Sequence, residues 1–172
     1  MNEVKVLITD DEIKKRVHEL ALAIKTEFGE NIYCVVILTG AIVFFVDLLR
    51  ALTELGACVK YSLVKVSSYK RKESAGTINL ELGMEEKIDG KRILLVEDIV
   101  DTGVTLDFLK KYLLGKNAEE IKICALLDKK ARRKKHIKID YIGFKVPDKF
   151  VVGYGIDYDQ QYRDLSYIGV ID

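Results

Sequence analysis

Three runs of strand length, Ile32–Leu38, Arg92–Val96 and Ile121–Leu127, are apolar with almost no alternation. Strands of that kind are buried on both faces, which a sheet covered by helices on both sides provides. The segments between them read as those helices. Thr9-Asp10-Asp11-Glu12 fits a capping box, with Thr9 as N-cap and Glu12 reaching back. Ile13, Val17, Leu20, Ile24 and Phe28 follow at helical spacing, and Gly29 supplies the stop. Thr39-Gly40 turns the chain into a second apolar helix, Ala41 to about Leu55, that ends at Gly56. Leu106, Leu109 and Leu113 trace a third, stopped by Gly115. Cys58–Val66 alternates and reads as a strand, and residues 67–76 have no apolar period and read as a loop. Thr77–Met84 resumes as a strand, and Tyr141–Val146 and Phe150–Ile156 are two more, joined at Pro147-Asp148. Strands alternating with helices define an α/β chain: a mostly parallel central sheet flanked by helices, with right-handed crossovers. No repeat or linker interrupts the 172 residues, so they read as a single domain over 1–172.

Composition narrows what such a domain can do. With 49% apolar and 32% charged residues the chain has a folding composition, which excludes intrinsic disorder. Lys plus Arg (28) against Asp plus Glu (27) leaves a net charge of +1, so no global charge points to nucleic acid or a membrane. The uncharged stretch Ile32–Val46 is broken by Thr39-Gly40 and falls short of the about 20 residues of a spanning helix. Glu3, Lys5, Asp10, Asp11 and Glu12 leave no room for a secretory segment at the start. Cys34, Cys58 and Cys124 are an odd number, far apart, each in an apolar run, and read as buried free thiols of a reducing compartment. The expectation is a soluble cytoplasmic protein whose function is local.

In an open parallel sheet, ligands bind beyond the carboxyl ends of the strands, where strand order switches. The segment Ile93-Leu94-Leu95-Val96-Glu97-Asp98-Ile99-Val100-Asp101-Thr102-Gly103-Val104-Thr105 stands at such an end. An apolar strand runs into two adjacent carboxylates, a third acid follows, and Thr102, Gly103 and Thr105 open a helix. A glycine turn at a helix N-terminus offers backbone N–H groups and the positive end of the dipole, and hydroxyls add donors, so it suits a phosphate dianion. Acids beside a phosphate repel it unless something cationic or hydroxylated lies between them. Mg²⁺ and a ribose diol both answer, since hard oxygen ligands suit Mg²⁺ and carboxylates accept from hydroxyls. One acid alone would read as a solvated loop residue; the whole string does not.

Val96–Thr105 resembles the phosphoribosyl pyrophosphate motif of the type I phosphoribosyltransferases. Val146-Pro147-Asp148-Lys149-Phe150-Val151-Val152-Gly153-Tyr154, then Asp157-Tyr158 and Tyr162-Arg163-Asp164-Leu165, resembles the hypoxanthine-guanine branch of that family. The resemblance implies the type I phosphoribosyltransferase fold with a small hood and a flexible active-site loop at about 67–78. It implies purine salvage: transfer of the phosphoribosyl group to hypoxanthine or guanine, with Mg²⁺ as cofactor, in a homodimer or homotetramer.

Carried onto this chain, the resemblance makes Asp101, Thr102, Gly103, Val104 and Thr105 the 5′-phosphate site. Glu97 and Asp98 meet the ribose hydroxyls, directly or through Mg²⁺. Asp101 is in addition the catalytic acid or base facing the purine's five-membered ring. Lys129 opens a basic run (Lys130, Arg132, Arg133, Lys134, Lys135) that on local grounds reads as a solvated loop; by resemblance it donates to the 6-oxygen of the base. Phe150 stacks on the purine, Val151 reads its edge through the backbone, and Lys149 helps to position it. Asp157 sits near a second Mg²⁺ and the base, so Glu97, Asp98 and Asp157 are the implied metal residues, and Arg163 binds pyrophosphate. Leu38-Thr39-Gly40 corresponds to the pyrophosphate loop, where a cis non-proline peptide is often found. Thr39 stands where relatives commonly carry Lys or Arg, which removes a cation from the leaving-group site. Ser67, Ser68 and Tyr69, with Ser74-Ala75-Gly76, match the loop that closes over the site. His18 and His136 have neither metal-ligand spacing nor an implied catalytic role.

Two other readings compete. An RNA-binding regulator can be built on a phosphoribosyltransferase fold, and the Lys129–Lys135 run is its support, though one short basic cluster in a near-neutral chain is little. A phospho-acceptor receiver domain also groups acids and a Lys at strand ends, but has no place for the 67–76 loop or the last strands. The expected partners are therefore phosphoribosyl pyrophosphate and a 6-oxopurine, with no nucleic acid and no membrane.

Overall fold

A computed structural model describes residues 3–69, 77–82 and 87–171, and over 67–69 and 77–82 it describes the backbone course only. The elements are β1 (Val4–Ile8), α1 (Asp10–Phe28), β2 (Asn31–Leu38), α2 (Ala41–Glu54), β3 (Cys58–Tyr69), β4 (Thr77–Leu82), β5 (Arg92–Val100), α3 (Val104–Leu114), β6 (Glu120–Asp128), β7 (Tyr141–Lys145), β8 (Phe150–Val152) and β9 (Ile168–Ile171). The capping box forms as read: Glu12 N donates to Thr9 Oγ1 at 3.3 Å and Thr9 N donates to Glu12 Oε2 at 2.8 Å.

The main sheet has the order β4-β3-β2-β5-β6-β7. β3, β2, β5, β6 and β7 run parallel, and β4 pairs antiparallel at the β3 edge. Side chains alternate between two cores, as a strand buried on both faces requires. Cys34, Val36, Leu94, Val96, Cys124 and Leu126 face α1 and α2, while Val35, Ile37, Leu95, Ile123 and Ala125 face Leu106, Leu109 and Leu113 of α3. Because the chain passes from β2 outward to β3 and then returns to β5, strand order switches between β2 and β5. The crevice beyond Leu38 and Val100 is therefore the expected binding place. Among the described residues no helix is long and apolar enough to cross a membrane.

A second, antiparallel sheet of order β1-β9-β8 forms the hood. Its two outer members by sequence, β1 and β9, are absent from the sequence reading: they are short, and each finds its partner at the opposite end of the chain, Val4 opposite Ile171. β8 stops at Val152 and does not reach Ile156, because Gly153, Tyr154 and Gly155 all have positive φ (101°, 49° and 96°). β5 runs past Val96 to Val100, held by pairing of Ile99 with Leu127.

β3 also overruns its expected end. Ser67, Ser68 and Tyr69, expected in the flexible loop, are strand residues opposite Asn79, Ile78 and Thr77. Their polar side chains hide the strand from a periodicity reading, whereas the ladder to β4 is made by the backbone. Of the rest of that loop, Thr77 and Ile78 belong to β4, and 70–76 lies outside the described residues, as does the end of the strand expected to reach Met84. Cys34 and Cys124 are buried, but Cys58 is exposed at the first position of β3, contrary to the expectation for all three thiols.

Candidate active site

Glu97 and Asp98 occupy the carboxyl end of β5, and the turn 101–103 leads directly into α3. Gly103 has φ 77°, a left-handed conformation that favours glycine, and as N-cap it brings no side chain, while Val104 N donates to Thr102 Oγ1 at 3.4 Å. The turn borders a cavity of about 90 Å³ lined by Glu97, Ile99, Val100, Asp101, Thr102, Gly103, Thr105 and Leu106. The turn thus has the form of an anion cradle, as the sequence reading expects.

The acids at its rim differ in their surroundings. Glu97 is buried, and desolvation pushes its carboxyl well above the ordinary range, with the neighbouring Asp98 charge adding to the rise. Burial raises Asp98 as well, against hydrogen bonds from its neighbours and the positive charge of Arg163, which lower it. Asp98 Oδ1 accepts from Ile99 N at 2.7 Å. Asp101 Oδ1 is buried and has no hydrogen-bond partner, the one such side-chain oxygen among the described residues. Its other oxygen lies 3.8 Å from Arg132 Nη1, and Arg132 Nε in turn lies 3.0 Å from Asp148 Oδ1.

The Thr39-Gly40 loop closes one side. The Leu38–Thr39 peptide is cis, as the resemblance implies, and the Thr39 side chain is exposed. A Cβ on Gly40 would meet the Asp98 carboxylate, and a Cβ on Gly155 would meet the Gly40 carbonyl, so the loop is pressed between β5 and the hood. Arg163 Nη1 donates to Gly155 O at 2.7 Å and Arg163 Nη2 lies 2.8 Å from Asp157 Oδ1, which brings Arg163 and Asp157 to the same edge.

Lys129 corrects the local reading of the basic run. It is 5% exposed, not part of a solvated loop, and its Nζ donates to Lys149 O at 2.7 Å. Lys149 is therefore in contact through its carbonyl, while its side chain faces solvent. Phe150, 51% exposed, stands edge-on to the exposed Tyr158 ring at 5.2 Å, leaving an aromatic face open beside Lys129. Val151 is buried in β8, an edge strand of the hood whose ladder partner is β9 alone.

Glu97, Asp98 and Asp157 do not assemble into a closed metal cage: among the described residues no three acidic, His or Cys side chains converge. Adjacent carboxylates on a rim that a phosphate ligand would share are still the donors Mg²⁺ takes, since it keeps waters and substrate oxygens for the remaining positions. Sequence reading misses four residues that the fold brings here. Arg132 and Arg133 are hidden in the basic run, and nothing in the Asp157-Tyr158 pair marks the tyrosine for a role. Gly155 carried a usable signal, two glycines flanking a tyrosine directly after an apolar strand.

Known proteins resemble this chain along its whole length. A family model for the phosphoribosyl transferase domain matches residues 7–159. The hypoxanthine-guanine phosphoribosyltransferase of Aquifex aeolicus is 41% identical over 99% of this chain and 96% of its own. That of Bacillus subtilis is 40% identical over 97% and 92%. A crystal structure of a hypoxanthine-guanine phosphoribosyltransferase from Bacillus anthracis superposes with a TM-score of 0.91 at 38% identity, covering 100% of both chains. Fold, site and relatives together mean that the chain belongs to the phosphoribosyltransferase family, on its hypoxanthine-guanine branch.

Proposed function

We propose that the chain transfers the 5-phosphoribosyl group of phosphoribosyl pyrophosphate to hypoxanthine or guanine, giving IMP or GMP and pyrophosphate. The observation that carries this reading is the unpartnered, buried Oδ1 of Asp101 beside the anion cradle. A buried acceptor left without a donor costs free energy, roughly 1–3 kcal/mol, and a substrate N–H relieves it. In the reaction the anomeric carbon loses pyrophosphate and bonds to one nitrogen of the five-membered ring, while the proton on the other passes to Asp101.

The amides of 101–105 and the hydroxyls of Thr102 and Thr105 hold the 5′-phosphate, with Gly103 and Val104 supplying backbone. Glu97 and Asp98 accept from the ribose hydroxyls. Asp98, and at the opposite edge Asp157, are the residues that would hold Mg²⁺, with Glu97 behind them; bound there, the ion supplies positive charge to the departing pyrophosphate. Thr39 and Gly40 present backbone N–H groups to pyrophosphate, and Arg163, anchored on Gly155 O and Asp157, adds a fixed cation. Thr39 itself brings no charge, so the leaving group relies on backbone and Arg163.

Lys129 has donors to spare beyond the one given to Lys149 O, and no acceptor. A 6-oxo base accepts from it, whereas a 6-amino base opposes donor to donor, which is the basis of discrimination. Phe150 stacks on the base, the free edge of β8 at Val151 reads it, and the Lys149 main chain holds Lys129 on target. The chemistry needs no covalent nucleophile; alignment and electrostatics carry it. The RNA reading has less support than the run suggests, since Lys129 is buried and Arg133 is committed to internal partners, while Lys130, Arg132, Lys134 and Lys135 stay exposed. The setting proposed is cytoplasmic, and the exposed Ile42 and Val46 of α2 are the surface proposed for pairing of copies.

Asp101→Asn tests the reading. Loss of a general acid–base group lowers kcat by about 10²–10⁴-fold. Wild-type turnover in the Asn variant would refute the role given to Asp101.

A further inference from the structure

Arg133 belongs to the run that composition reads as solvated, yet its side chain is 15% exposed and its hydrogen bonds and ion pair point inward. Nε donates to Asp101 O at 3.1 Å and Nη2 donates to Val100 O at 3.2 Å. Nη2 also pairs with the Asp128 carboxylate, itself 8% exposed at the end of β6. The next two residues continue the pattern: Lys134 N and Lys135 N donate to Thr102 O at 2.9 and 3.0 Å. Arg133 Cδ would stand 3.0 Å from a Cβ on Gly103, so the guanidinium stem packs directly under the turn.

Three consecutive carbonyls, Val100, Asp101 and Thr102, are thus held from one side by the segment that follows β6. In a trans peptide the C=O and the following N–H point in opposite directions. Clamping these carbonyls therefore aims the N–H groups of Asp101, Thr102 and Gly103 the other way. The cavity lies on that other side: Asp101, Thr102 and Gly103 line it and Arg133 does not. The same segment begins with Lys129, whose own N–H donates to Val100 O at 3.0 Å, so the base-facing lysine and the turn share one anchor.

We propose that Arg133, locked by Asp128, is a positioning residue that aims the 101–103 amides at the 5′-phosphate and ties that turn to the strand end carrying Lys129. The proposal rests on the phosphoribosyl reading above. It predicts that the value of the 5′-phosphate to binding, not binding in general, depends on Arg133.

The test compares IMP with inosine, which differ by the 5′-phosphate alone, by titration calorimetry on the wild-type protein and on Arg133→Lys. Lysine keeps a cation for Asp128 but cannot fork to two carbonyls. The expected result is a ratio of IMP to inosine affinity that falls at least about 10-fold, with inosine binding within about 2-fold of wild type. Asp128→Asn, which unlocks Arg133 without removing it, shifts the ratio in the same direction by less, and serves if Arg133→Lys does not fold. An unchanged ratio in the folded variants, or an equal loss for both ligands, overturns the proposal. A wild-type protein that does not bind IMP overturns instead the reading on which it rests.

Discussion

A methyl group on Gly40 has no room. The Cβ it would add stands 2.7 Å from Asp98 Cγ and closer still to Oδ2, inside the 3.0 Å that real Cβ contacts essentially never cross. Either partner must shift, and neither is free. Asp98 Oδ1 is tied to Ile99 N at 2.7 Å. On its far side the loop abuts the hood, where Gly155 has its own missing Cβ against Gly40 O and, at 3.3 Å, against Val43. Overpacking of this kind costs about 1–3 kcal/mol. Because the displaced groups are the loop proposed for pyrophosphate and the carboxylate proposed for ribose and Mg²⁺, the cost falls on the bound substrate, and Gly40→Ala lowers kcat/KM for phosphoribosyl pyrophosphate roughly 5- to 150-fold. Steady-state kinetics with that substrate varied at saturating hypoxanthine, alongside Tm, makes the measurement. Kinetics within 2-fold of wild type in a protein of unchanged Tm would show that Asp98 moves aside freely, and would refute the argument.

Three further outcomes follow from other parts of the molecule. Lys129→Met removes a charged donor to a 6-oxo base, a loss of about 1.5–3 kcal/mol; kcat/KM for hypoxanthine falls roughly 10- to 150-fold, and an unchanged preference for hypoxanthine over adenine would contradict the role given to Lys129. Burial pushes the Cys34 thiol from the ordinary value of 9.0 up to about 12, and burial with donation to Asp47 raises Tyr154 too. Both groups hold their protons more tightly folded than unfolded, so the stability they contribute is complete below about pH 9 and is lost as pH climbs toward 12. Tm measured against pH should therefore decline over that window, and a thiol reagent should find one fast-reacting cysteine, Cys58, in the native protein; a flat Tm or three fast thiols would contradict this.

What could be read from the sequence was what is encoded locally. The 93–105 string is legible because strand, acids, glycine turn and helix start are contiguous, and the capping box at Thr9 is legible for the same reason. The resemblance implies a hood and Phe150 onward reads as a strand, but β1 and β9 were not legible, since they are short strands that recognise each other across the whole chain. Arg133 escaped because charge in a polar run signals solvent unless its partners are known, and those partners, Val100, Asp101 and Asp128, lie on other elements. The need for glycine at 40 and 155 arises from two loops meeting, and Ser67–Tyr69 became strand through a backbone ladder that side chains do not announce.

The central claim is transfer to a 6-oxopurine. It is tested most directly by turnover with phosphoribosyl pyrophosphate and Mg²⁺ while hypoxanthine, guanine, xanthine, adenine and uracil are offered in parallel. Product from hypoxanthine or guanine, with none from adenine or uracil, is the predicted result; silence on all five bases in folded protein, or turnover of adenine equal to that of hypoxanthine, would contradict it.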